Sequence, residues 1–499
     1  MRQPGRAKRR ENKPGRAKRR ENSPRSRQLA RVALAACIAV LLSSCGQSLP
    51  GTPVSVFADP FRVAGLPATD GPTGLRDDAA EPTREVTDTD GGEIDHLAIS
   101  SVSDIEEFWE TAYPETFGEE FTPVTDVISW DADGFDGVFC GVDTYNLVNA
   151  AFCHDDKTIG WDRGVLLPAL RDANGDMAVT MVLAHEYGHA VQKQAGLITR
   201  STPTLVSEQQ ADCLAGVYMR WVAEDNSPRF TLSTGDGLNN LLAAMIAFRD
   251  PLLSESDLAA GEDEHGSAFE RVSAFQFGFT DGAASCASMD PAEIKQRRGD
   301  LPVLLPENQS GELLITEDSV RSIIDAMNIL FEPADPPVLT FEPQDCPDAD
   351  SDAAATFCPA TNTIAVNLPA LEELGAQSDD DTGLTTGDNT AYSVLMSRYM
   401  QSLQHQRGGV ALDTAQAALR TACLTGVATA KLSQEVSTPD GNTIQLTAGD
   451  VDEAVSGILL NGLVASDVNG ESVPSGFSRI DAFRVGVLGE PDRCFKRFP

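Results

Sequence analysis

The sequence predicts an α+β protein built from two related halves, each closed by two disulfides, with chemistry confined to the first half. Three observations carry this. A helix-forming stretch at 177–195, free of Pro, holds histidines at positions i and i+4. Apolar runs at 124–130, 137–140 and 158–161 are short enough to be strands. Eight cysteines fall into two sets of four, 140, 153, 213, 286 and 346, 358, 423, 494, with gaps of 13, 60, 73 and 12, 65, 71.

The chain opens on a basic segment in which PGRAKRREN occurs twice, at 4–12 and 14–22. An apolar run at 29–42 follows, of signal-peptide length, too short to span a membrane and interrupted by Arg31. It ends in Leu42-Ser43-Ser44-Cys45, which resembles a bacterial lipobox. Residues 1–44 therefore read as a signal peptide, Cys45 as the lipidated residue, and the mature protein as extracytoplasmic and membrane-anchored. Residues 1–44 hold 13 Lys and Arg against 2 Asp and Glu, so the remainder carries 25 against 73, a net charge near −48. Such acidity argues against nucleic acid and anionic membrane surfaces as partners.

Residues 45–92, rich in Pro, Thr, Asp and Gly, read as a flexible acidic linker. A first domain is expected over 93–300 and a second over 301–499. Residues 104–113 form a helix stopped by Pro114, with Phe108, Trp109 and Tyr113 in the core. The run at 158–161 is a candidate edge strand for pairing with an extended peptide. DADGFDG at 131–137 and DADSD at 348–352 look like calcium loops, yet they lack the full ligand spacing and terminal Glu, and read as acidic turns.

The stretch MVLAHEYGHAVQ carries His185, Glu186 and His189 as H-E-x-x-H. On one helix face both imidazoles reach one metal ion, and Glu186 is placed to act as general base on water. Gly188 costs helix propensity, which suggests a close backbone or substrate approach. A catalytic zinc site needs a third protein ligand and an open position. Glu208, nineteen residues past His189, supplies a carboxylate, and Asp212, one turn later, is a partner for a ligand imidazole's N–H. Asp236 and Asp450 read as helix caps. Of the remaining histidines, His96, His154 and His405 have no constellation around them in the sequence; His265 heads the segment HGSAFERVSAFQFGF at 265–279.

At HEYGH 185–189, EQQADCLAG 208–216 and HGSAFERVSAFQFGF 265–279 the chain resembles the neutral zinc metallopeptidases found as secreted or membrane-anchored bacterial proteins. The resemblance is good over about 130–220 and fades between 225 and 260. It implies a zincin-like, gluzincin-like fold, one Zn²⁺ per chain on His185, His189 and Glu208, and a peptide or protein substrate. His265 then stabilises the oxyanion or positions substrate, or else bonds locally at a helix start.

The cysteine repeat has company. Leu167-Pro168-Ala169-Leu170 matches Leu368-Pro369-Ala370-Leu371, and Arg271, Ala274, Phe275 and Gly278 match Arg479, Ala482, Phe483 and Gly486. In that alignment His185, Glu186 and His189 become Ser397, Arg398 and Gln401; Glu208 and Asp212 become Ala418 and Ala422; His265 becomes Val473. The second half thus reads as a degenerate, metal-free zincin-like copy that binds, braces or occludes the first. In an exported chain the parallel sets favour Cys140–Cys153, Cys213–Cys286, Cys346–Cys358 and Cys423–Cys494, although four cysteines alone allow three pairings. The expected activity is zinc-dependent peptide hydrolysis. The rival is a non-enzymatic envelope scaffold or binding protein, which needs no stoichiometric metal.

Overall fold

The computed structural model describes residues 59–134, 137–254, 265–306, 311–349, 353–377 and 383–499. The expected signal peptide, the expected lipidation site Cys45 and the first part of the expected linker lie outside the described residues. No helix among those described is long and apolar enough to cross a membrane.

Residues 59–92 are not a free tether; they are laid onto the domain that follows. β1 (Arg62–Val63) and β2 (Leu66–Pro67) form a hairpin, and β3 (Gly74–Leu75) pairs antiparallel with β9 (Phe230–Thr231). Arg76 Nε donates to the carbonyls of Ser227 and Phe230, and Arg84 pairs with Glu106 at 2.9 Å. The linker expectation rested on missing apolar periodicity. This segment is ordered instead by backbone pairing and arginine anchors, which leave no periodic trace.

α1 (Glu93–Phe117) starts earlier than expected and runs through Pro114. The proline lies in the last turn, where few carbonyls lose a partner, and the helix ends at Gly118 with φ 78°, whose N–H donates to Pro114 O. Phe108, Trp109 and Tyr113 are buried.

The first sheet has the order β4–β8–β7, with β4 (Val127–Trp130) parallel and β7 (Ala150–Cys153) antiparallel to β8 (Thr158–Asp162). The expected edge strand is therefore the central one. Every residue of β8 is buried, as a strand flanked on both sides requires. Among the described residues the free edge belongs to β7, since the other side of β4 is met by Thr87. A small hairpin, β5 (Val138–Phe139) and β6 (Val142–Asp143), precedes β7.

Helices complete this half: α2 (Leu166–Asn174), α3 (Asp176–Ala195), α4 (Thr204–Ala223), α5 (Asp236–Ala247), α6 (Ala268–Asp281), α7 (Ala283–Ala287) and α8 (Pro291–Arg298). Asp236 opens α5 from its first position and Gly235 is the cap, so its carboxylate serves the helix by charge and not as the expected cap. α4 and α6 cross at two glycines. A Cβ on Gly278 would lie 1.8 Å from Cys213 O, and one on Gly216 would lie 2.3 Å from Phe275 O.

The second half repeats this order. α9 (Glu317–Phe331) leads to a sheet ordered β10–β12–β11, with β10 (Val338–Thr340) parallel and β11 (Ala355–Cys358) antiparallel to β12 (Thr363–Val366). α10 (Leu368–Leu374), α11 (Asp388–Arg407) and α12 (Ala415–Leu432) follow, then hairpin β13 (Val436–Ser437) and β14 (Thr443–Ile444), and α13 (Asp450–Leu460), α14 (Gly476–Val487) and α15 (Pro491–Arg497). Asp450, like Asp236, is the first residue of its helix behind a glycine cap. The glycine crossing recurs: Cβ atoms on Gly486 and Gly426 would meet Cys423 O at 1.7 Å and Phe483 O at 2.1 Å. Disulfides join Cys140–Cys153, Cys213–Cys286, Cys346–Cys358 and Cys423–Cys494.

Candidate metal centre

Helix geometry brings His185 and His189 of α3 to one face, their rings 5.0 Å apart and nearly perpendicular. α4 crosses beside them. Gly188 is what permits this: a Cβ there would lie 2.9 Å from Cα of Ala211, so the close approach its presence suggested is that of α4. The crossing sets Glu208 Oε2 at 3.1 Å from His185 Nε2 and 3.5 Å from His189 Nε2.

A tetrahedral zinc ion with bonds of about 2.0–2.1 Å needs donor atoms roughly 3.3 Å apart. The two observed separations bracket that value, and the donor set, two imidazoles and a carboxylate, is one zinc favours. The other imidazole nitrogens are already engaged. His185 Nδ1 lies 2.8 Å from Asp212 Oδ1, and His189 Nδ1 lies 3.0 Å from Gln192 Oε1. Both Nε2 atoms are thereby left for a cation.

Electrostatics agree. Burial alone would lower the His185 imidazole, but the carboxylates of Asp212 and Glu208 outweigh it and raise its pKa to about 10. Burial likewise pushes Glu208 up, and the hydrogen bonds from His185 and His189 override it, holding the carboxyl far below the usual range. Asp212, fully buried, is brought to about 2 against its burial by the charge of Arg271 and by His185. The site is a negative cradle that favours positive charge at His185.

Glu186 stands apart from the ligand atoms. Its Oε2 accepts the N–H of Phe152 on the edge strand β7 at 3.0 Å. It shares a cavity of 260 Å³ with His185, His265, Arg271, Ala150 and Phe248. His265 bonds locally, with Nδ1 3.3 Å from Asp250 Oδ1, and also turns Nε2 to within 3.8 Å of Glu208 Oε2.

Three residues had no role from sequence. Arg271 grips Asp212 with two bonds of 2.9 Å; the repeat and the family-like segment at 265–279 both marked it, without giving it a role. Gln192 follows the second histidine by three positions, the helical spacing at which it can orient that ring. His154, which had no constellation in sequence, follows β7 with its ring centre 6.3 Å from that of His189. No local signal marks it, because the strand brings it there.

Residues 57–289 match the family described as "Putative neutral zinc metallopeptidase". An uncharacterized protein of Mycobacterium tuberculosis is 29% identical over 167 residues, which cover 30% of this chain and 57% of that one. The uncharacterized protein YpfJ of Escherichia coli is 34% identical over 136 residues, 24% of this chain and 44% of its own. The chain thus spans about half the length of these relatives. No solved structure is significantly similar to it. Over residues 57–289 the chain is thus similar to the neutral zinc metallopeptidase family, whose cofactor is zinc.

Proposed function

We propose that the chain is an extracytoplasmic peptidase, anchored to the membrane through lipidated Cys45, in which His185, His189 and Glu208 hold one zinc ion. The observation that carries this reading is the division of labour in α3 and α4. Three donor atoms converge, the two imidazoles with their far nitrogens restrained, while Glu186 on the helix of the histidines is tied elsewhere and faces the shared cavity.

Zinc, when held there, supplies a Lewis acid that polarises the scissile carbonyl and brings the pKa of water from about 16 towards 7. Glu186 takes a proton from the attacking water, whose oxygen forms the new bond to the carbonyl carbon. The carbon–nitrogen bond then breaks, and Glu186 returns the proton to the leaving amine. Asp212 fixes the tautomer of His185, and Gln192 does the same for His189. Asp250 orients His265 so that its Nε2 faces the site, where it steadies the developing oxyanion.

The substrate backbone pairs with β7. Asn149 O and Cys153 O bond towards β8 and its turn, so Ala150 and Phe152 present their backbone groups outward. Glu186 uses the Phe152 N–H, which leaves the Ala150 groups for an extended peptide.

The second half is a degenerate copy of the same fold. Arg398, in the place of Glu186, donates to Ala355 O, Ser466 Oγ and Leu463 O, and so closes the edge that Ala150 leaves open in the first copy. Ser397, Gln401 and Ala418 offer no zinc donor set.

The test is zinc content of the mature chain and hydrolysis of a quenched peptide library, for wild type, Glu208→Ala and Glu186→Gln. One zinc per chain in wild type and Glu186→Gln, lost in Glu208→Ala, with cleavage by wild type only, is the expected pattern. A folded wild type without zinc would reject the peptidase in favour of an envelope scaffold. Membrane fractionation of Cys45→Ala, expected to release the protein, tests the anchor.

A further inference from the structure

α6, which carries Arg271 and follows His265, is not held by its own half alone. Asp452, buried on α13 of the second half, turns both carboxylate oxygens to the start of α6. Oδ2 accepts the N–H of Ala268 at 3.0 Å and Oδ1 that of Phe269 at 3.0 Å. In the opposite direction Asn239, on α5, accepts the N–H of Gly476, the first residue of α14, at 2.9 Å.

Ala268 and Gly476 stand at equivalent positions of the repeat, so the two halves cap each other's helices. Gln276 and Arg484, also equivalent, bond directly at 3.0 Å, and Gln276 Nε2 donates to Phe477 O at 2.9 Å. Contacts between equivalent positions are the mark of a two-fold, self-complementary interface, here built within one chain. The exchange is unequal in charge. The first half lends a neutral amide; the second lends a carboxylate, the better partner for a helix N-terminus. The charged cap serves the helix that supports the metal centre.

That helix transmits the contact. Arg271 lies one turn beyond Ala268; its guanidinium holds Asp212, and Asp212 holds His185 Nδ1. The cavity containing Glu186 is lined only by residues between Val148 and Arg271, so among the described residues the second half adds no wall to it. We infer that Asp452 is a positioning residue for the metal centre, and that the degenerate copy acts as a resident subunit that fixes α6 and, through Arg271 and Asp212, the His185 ligand. This rests on the zinc reading above.

The experiment uses the full chain and zinc alone as probe. Zinc affinity is measured by competition with a chromophoric chelator, and backbone amide exchange is followed across α6 without metal. The variants are Asp452→Ala, Asp452→Asn, and Ile364→Val as a control that trims the second half's buried central strand far from α6 in the chain. The expected result is a loss of zinc affinity of about threefold to tenfold in both Asp452 variants, below the 10–100-fold typical of a ligand's direct partner. Faster exchange in the first turn of α6 accompanies it, and Ile364→Val leaves both unchanged. Unaltered affinity in the Asp452 variants, or an equal loss in Ile364→Val, overturns the inference while the zinc reading stands. If Asp452→Ala does not fold, the near-isosteric Asp452→Asn decides. A wild type that takes up no zinc refutes the metal reading itself, and the positioning role with it.

Discussion

Replacing Asp212 by Asn tests whether the site is a prearranged metal centre. Asp212 accepts three hydrogen bonds with two oxygens: Oδ1 takes His185 Nδ1 at 2.8 Å and Arg271 Nη2 at 2.9 Å, and Oδ2 takes Arg271 Nε at 2.9 Å. An asparagine of the same shape can satisfy Oδ1 only by turning its NH₂ towards Arg271 Nε, so donor faces donor. The Arg271 guanidinium, itself buried, then has no carboxylate partner and keeps the carbonyl of Phe248. Removing one partner of a buried pair costs about 3–5 kcal/mol. Bound zinc should feel the change as a 10–100-fold weaker affinity, about 1.4–2.7 kcal/mol, because His185 leans on a neutral amide. Chelator competition reads the affinity and thermal unfolding of the metal-free protein reads the stability. A zinc affinity of the Asp212→Asn variant within about twofold of wild type would show that the carboxylate does not prepare the ligand, and would refute this reasoning.

Other expectations follow from the same geometry. Gly278→Ala places a Cβ 1.8 Å from Cys213 O, so α4 and α6 must part; its cost should exceed the about 1–3 kcal/mol usual for overpacking, read as lost folded yield. Serine replacement of Cys213 and Cys286, which close a 73-residue separation, should cost about 4 kcal/mol by chain entropy, against about 3 kcal/mol for the 13-residue Cys140–Cys153 link; urea unfolding compares them. In the second half, burial lifts the Asp388 carboxyl to about 7, and burial with Glu312, Asp450 and Asp388 lifts Glu453 to about 9. Both folded-state values exceed the unfolded ones, so the folded state holds extra protons and stability falls as pH rises from about 4 through 9. Thermal unfolding between pH 5 and 9 should show this slope, and Asp388→Asn should flatten it.

Much of the candidate site is written locally and was legible for that reason. His185, Glu186 and His189 lie on one helix, and Glu208 and Asp212 on another, so the fixed helical period places them once the helices are recognised. Arg271 and His154 reach the site through the α4–α6 crossing and the end of an edge strand, which are tertiary facts. Strand order escaped for the same reason. The run at 158–161 has the composition of a strand, but only its burial on every residue reveals a central position. The order of residues 59–92 was hidden because it comes from pairing with β9 and from arginines bound to backbone carbonyls, neither of which needs an apolar pattern. The repeat was the most informative signal, since matched cysteine spacings report on sheet, disulfide and helix crossing together.

The paired arginines show how the second half can lack the carboxylates of the candidate metal centre and still bury the same cation. Arg271 and Arg479 occupy equivalent places on α6 and α14. Ala422 stands at the repeat position of Asp212, and among the described residues no carboxylate pairs with Arg479. Its guanidinium donates instead to Val473 O and Leu459 O, while burial draws its pKa down to about 10. Arg398 follows the same rule on Ala355 O and Leu463 O, with Ser466 Oγ as third acceptor, and burial again brings it to about 10. Backbone carbonyls supply acceptors without opposite charge, so the cost of a buried cation is reduced by hydrogen bonding and not cancelled by pairing. The metal centre adds opposite charge to that solution: Asp212 on His185, and Glu208 beside both imidazoles, favour a cation, while Gln192 restrains His189 without charge. The carboxylates Glu208 and Asp212 in the first half, and the alanines at their places in the second, therefore separate a half arranged to hold charge from one arranged to hold shape.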